Sequence, residues 1–176
     1  MTAQAATGAE PQVPGLRRRL ACFVYEGVLL FGVVMVAGLL YGLITRQQHA
    51  LIGTTGLQAF VFIVLGAYFV TFWTRGGQTL AMQTWHIRLV TVDDQPVRRP
   101  RALVRYLLSW MWFLPALATV WWSGLKGGLP TFAALLAGVL GYATLAWLHP
   151  QRQFWHDAVC GTRLIWWRPA QRAQNP

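Results

Sequence analysis

The sequence predicts an all-α membrane protein: four transmembrane helices, both termini cytoplasmic, with a small cytoplasmic β-ribbon and interfacial helices. Three observations carry this expectation. Hydrophobic residues make up 55% of the 176 residues and charged residues only 11%, against roughly 25% in soluble globular domains, so a water-facing surface could not be covered. Four long stretches are almost free of charge, and the 15 Lys/Arg gather on one side of them. Ten Trp, five Tyr and nine Phe also exclude a disordered chain, which is poor in aromatics. A net charge of +10 would suggest nucleic acid, but the topology bias of membrane proteins already accounts for it, so no nucleic-acid partner is expected.

Residues 1–15 are rich in Ala, Gln, Thr, Gly and Pro, with Glu10 the only charge, and are expected to be a disordered tail, as are residues 169–176. Residues 16–168 between them read as one transmembrane domain. After Arg17-Arg18-Arg19, Leu20–Ile44 runs 25 residues with a single charge, Glu26. A hydrocarbon core of ~30 Å needs about 20 residues, so this stretch spans with some tilt. It exceeds the ~7–15 residues of a signal-peptide core and is expected to persist as the first span. Leu51–Trp73 follows with 23 uncharged residues, Leu107–Leu125 with 19 and Leu129–Leu148 with 20. Pro115 predicts a kink inside the third span, where neighbouring helices can satisfy the freed carbonyl. Lys126-Gly127-Gly128 reads as a tight turn and Pro130 suits a first helical turn, so the last two spans should form a hairpin.

The basic residues assign the sides. Arg17, Arg18 and Arg19, the six arginines from Arg75 to Arg105, and Arg152, Arg163, Arg168 and Arg172 total thirteen on one side, against Arg46 and Lys126 on the other. The positive-inside rule then places both termini and the middle segment in the cytoplasm. Within that segment, Gly76-Gly77 ends the second helix. His86–Val92 (HIRLVTV) partly alternates, Asp93-Asp94-Gln95-Pro96 carries turn chemistry, and Thr162–Trp167 (TRLIWW) has the residue types of a partner strand. The two runs are expected to pair, for example Leu89 with Leu164. A competing reading makes both apolar patches interface loops. Arg98–Tyr106 reads as a basic interfacial helix whose arginines reach lipid phosphates, and Gln151–Val159 as a short helix at the membrane surface.

Two acids stand out. Glu26 lies inside an apolar helix about two turns from its cytoplasmic edge, where a carboxylate is costly and is a functional candidate by default. Arg19 is seven residues earlier, near the same face and ~10 Å below along the axis, and could reach it directly or through a bridging group. Asp157 is the lone acid of the C-terminal region. Arg19, Glu26 and Asp157 are therefore expected to cluster at the cytoplasmic end of the first helix. The competing readings are a buried pair that only fixes helix register, and an exposed acid that neutralises a basic face.

These residues carry a resemblance to the RDD family of bacterial membrane proteins, named for one arginine and two aspartates. Arg19-Leu20-Ala21-Cys22-Phe23-Val24-Tyr25-Glu26 is similar to the family's first motif, with glutamate in place of its first aspartate. Gly77-Gln78-Thr79-Leu80-Ala81 through Asp94 resembles the segment after the family's second helix. His156-Asp157-Ala158-Val159-Cys160-Gly161-Thr162 resembles its C-terminal signature. The resemblance implies ligand- or ion-binding positions at Arg19, Glu26 and Asp157, supported by Arg18, Gly77, Gln78, Thr79, His156, Gly161 and Thr162. It also implies residence in the bacterial inner membrane and transport of unidentified ligands, with ion exchange as one idea.

Other chemistry finds no footing. Cys22 and Cys160 fall on the reducing side, and there is no C-x-x-C. His49, His86, His149 and His156 show no ligand spacing, so neither a metal nor another cofactor is expected. No nucleophile–base motif occurs, and the chain is read as a non-enzyme. Gly38/Gly42 and Ala133/Ala137/Gly141 read as small-residue stripes for packing within the chain, with a dimer face as the competing reading. Two functions remain: a transport or exchange protein using the acids, or a non-transporting accessory or scaffold protein. The second would hold anionic lipid or a partner protein at its basic cytoplasmic face; the partners expected are anionic lipids of the cytoplasmic leaflet and, beside them, a homo-oligomer or a membrane-protein partner.

Overall fold

The computed structural model describes residues 13–46, 54–124, 127–145 and 154–167. Both tails, most of the first link and residues 146–153 lie outside them, and with them the expectations placed there. Helix α1 runs Leu16–Thr45 and α2 runs Thr54–Arg75. These two are long and apolar enough to cross a membrane. Helix α1 begins about a turn earlier than the apolar stretch, so the Arg17–Arg19 run is helical.

The third stretch differs from expectation. Helix α4 (Arg99–Ser109) runs into a 3-10 turn at Trp110–Trp112, and α5 (Leu114–Ser123) follows at a 40° bend. Pro115 in the first turn of α5 explains the break: it has no N–H for the preceding turn and disfavours helical geometry at the residue before it. The basic interfacial helix and the third apolar stretch are thus one broken helix. Counted as one span, it brings the long apolar helices among the described residues to three. Helix α6 (Gly128–Leu145) packs back on α5, the expected hairpin. Its contact is made by Gly138, where a side chain would come within 2.6 Å of the Ala116 methyl. The expected stripes are not the packing surfaces: Ala133, Ala137 and Gly141 are exposed, and Gly38 and Gly42 face open space.

The ribbon forms as the two apolar runs predict. Strand β1 (Ile87–Thr91) pairs antiparallel with β2 (Thr162–Trp166), with Leu89 opposite Leu164 and Thr91 opposite Thr162. Asp94 adopts φ 59° in the turn, where Asp is among the few tolerant side chains, and its carboxylate meets Arg163 at 2.5 Å. Ile87, Leu89 and Leu164 turn inward onto Trp73, Ala81, Met82 and Tyr106, which is why an otherwise marginal two-stranded ribbon holds. Helices α3 (Leu80–Thr84) and α7 (Trp155–Val159) complete this layer. The core therefore sits where the helices meet the ribbon. Further along α1, Phe31, Leu39 and Ile44 are exposed, as a lipid-facing helix requires.

Candidate functional site

The Gly77-Gln78-Thr79 motif ties the ribbon to α1. Gly77 takes φ 71°, and a side chain there would lie 2.5 Å from the Leu89 carbonyl. That close approach lets the Leu89 N–H donate to the Gly77 carbonyl at 2.7 Å, while the Gln78 amide donates to the Ile87 carbonyl at 2.7 Å. Thr79 is thereby delivered as the N-cap of α3, accepting from the Met82 N–H at 3.3 Å, and its hydroxyl donates to Oε2 of Glu26. The Tyr68 hydroxyl of α2 donates to Oε1 at 2.8 Å. Glu26 is buried, and both its oxygens are met by neutral hydroxyls.

Asp157 has a different setting. It is completely buried on α7, and its Oδ1 receives Nε and one terminal nitrogen of Arg105, each at 2.7 Å. The Arg105 guanidinium also lies 4.1 Å over the Trp73 ring. Thr162 donates to the Asp157 backbone carbonyl at 3.2 Å, and Gly161, at φ 59°, closes the turn and accepts from Val92 at 3.1 Å. Oδ2 has no hydrogen-bond partner among the described residues. Beside it, the His156 backbone N–H donates to the Tyr142 hydroxyl at 3.2 Å, and the same hydroxyl lies within hydrogen-bond reach of the ring's Nδ1, 3.0 Å away. The other ring nitrogen, Nε2, lies 3.5 Å from Asp157 Oδ1. Burial pushes the His156 pKa down to about 4, with Arg105 acting the same way and Asp157 opposing, so the ring is neutral at pH 7.

Arg19 is buried, donates from Nε to the Pro14 carbonyl at 2.9 Å and lies 5.0 Å over the Phe154 ring. Phe154 is the N-cap of α7, the helix that carries Asp157, so two of the three expected members share a neighbourhood. The expected Arg19–Glu26 contact is corrected: the Glu26 oxygens go to Tyr68 and Thr79. Seven residues separate the two by ~10 Å along one helix, and Arg19 turns back instead to the Pro14 carbonyl. Arg105 is a second correction. Expected at lipid phosphates with its exposed neighbours Arg99 and Arg101, it is 6% exposed and bound to Asp157. Asp157 is accordingly not an exposed acid. Arg18 is half-buried, 5.7 Å over Trp166.

Arg105, Tyr68 and Tyr142 were absent from the expected set. Arg105 carried a readable sign: it shares a face of α4 with Ala102 and Tyr106, and all three are buried. The tyrosines offered only a polar tip in an apolar helix.

A cavity of 270 Å³ joins the two settings. Its walls are apolar, including Phe23, Leu30, Leu65 and Phe113, and its polar groups include Glu26, Thr79, Arg105 and His156. The arrangement can hold an apolar body beside a carboxylate. Asp157, shut behind Arg105, does not line it.

A family model, that of the RDD family, matches residues 13–161, which include Arg19, Glu26 and Asp157. No curated protein and no solved structure matches the chain.

Proposed function

The chain belongs to the RDD family, and from that premise we propose that it transports or exchanges an ion or small ligand, with Glu26 as the binding acid. We place it in the bacterial inner membrane as a multi-pass protein with four spans and both termini cytoplasmic. The thirteen-to-two split of basic residues supports that orientation. One observation carries the functional reading: Glu26 is a buried carboxylate in an apolar helix, held by hydroxyls and lining a cavity. Ionisable groups in such helices are retained for function far more readily than for stability. Asp157, Arg105 and Arg19 are the fixed charges beside that site. Proteoliposomes test the reading. A pH- or Na⁺-dependent flux abolished by Glu26→Gln supports it, and no flux in the wild-type protein overturns it.

A second reading has its own observation. Arg17, Arg98, Arg99 and Arg101 are exposed, and Arg18 and Arg88 lie over Trp166 and Trp167, at 5.7 and 5.0 Å. Arginine and tryptophan together suit an interface with anionic lipid. In this reading the protein is an accessory or scaffold without flux, and anionic lipid or a partner protein co-purifies in fixed ratio.

A further inference from the structure

We propose that the cavity beside Glu26 binds a lipophilic cation, a quaternary ammonium or similar single charge on an apolar body. The proposal rests on the reading of Glu26 as the binding acid and names the class of substrate.

The walls point to a cation. Phe23, Phe69, Tyr106, Trp110 and Phe113 all line the cavity, and aromatic rings attract positive charge through their electron-rich faces, the recognition used for quaternary ammonium groups. The charges agree. Arg105 also lines the cavity, but Asp157 takes its guanidinium at 2.7 Å. His156 on α7 is held neutral by its burial, which pushes its pKa down to about 4, and Cys22 and Tyr106 bring no positive charge. Among the described residues, Glu26 is thus the acid of this cavity that no cationic side chain answers, its oxygens being held by Tyr68 and Thr79. An anion is repelled there, and a small metal ion finds few oxygens among walls that are almost wholly apolar. A plain acyl chain would fill the space and leave the carboxylate unanswered. A cavity of about 150 Å³ takes a benzene ring, so 270 Å³ is the scale of a small aromatic ammonium.

The experiment compares benzyltrimethylammonium with neopentylbenzene, its uncharged isostere, on the purified full chain in a maltoside detergent. Binding is read by equilibrium dialysis and tryptophan quenching. The cation should bind about tenfold tighter than the isostere or better. Glu26→Asp should keep that preference, Glu26→Gln should erase it, and Leu65→Trp, which fills the cavity, should weaken both ligands. Equal binding of the two ligands by the wild-type protein, or a preference that survives Glu26→Gln, overturns the proposal. The wild-type comparison and Leu65→Trp decide the matter even if Glu26→Gln fails to fold. Na⁺- or proton-coupled flux without cation binding overturns this substrate class and leaves transport standing. Cation binding without flux supports the site and overturns transport.

Discussion

Asp157 and Arg105 form the kind of pair whose halves depend on each other more than the fold depends on the pair. Removing one member leaves a buried charge uncompensated, at ~3–5 kcal/mol, whereas replacing both is often neutral. Arg105→Met and Asp157→Asn should each lower the melting temperature in detergent, and the double variant should melt above at least one of them. Additive losses would refute the coupling. His156 gives a pH signature. Its pKa is about 4 in the folded protein and ordinarily ~6.5, so the unfolded chain binds the extra proton in that window. The stability it contributes is present above pH ~6.5 and is lost as pH falls toward 4, in total on the order of 3 kcal/mol. A His156→Asn variant should show a flatter melting temperature across that range than the wild type. Both acids were legible as exceptions, one inside an apolar helix and one alone in its region. Their partners were not, because partner choice depends on how side chains lean and on which face of α4 turns inward.

Two elements, the ribbon and the turn that feeds it, behave as one unit. Gly77→Ala places a methyl against the Leu89 carbonyl at a φ of 71°, so it should cost ~1–3 kcal/mol and loosen both the ribbon and the Thr79 contact to Glu26. Protease sensitivity near Thr84 would report it, and an unchanged digestion pattern would contradict it. Leu89→Cys combined with Leu164→Cys should oxidise readily, whereas Val90→Cys with Leu164→Cys, one residue out of register, should not. The pairing could be read from the sequence because both runs are short, β-rich and bounded by turn residues. The break in the third helix was half legible. Pro115 announced a bend, but residue counting separated the basic helix from the apolar one, whereas the backbone runs through Ser109 into the bend without a loop.

For the whole molecule, the proposed topology predicts that reporters after Pro176 and near Asp94 read cytoplasmic and one near Gln48 reads extracytoplasmic. Glu26 is open to a cavity, while Asp157 is sealed behind Arg105. Labelling with dicyclohexylcarbodiimide, an apolar carboxyl reagent, tests that division most directly, with adducts located by peptide mass spectrometry of the purified protein. The account predicts modification of Glu26 and none of Asp157; an adduct on Asp157 with Glu26 untouched would contradict it.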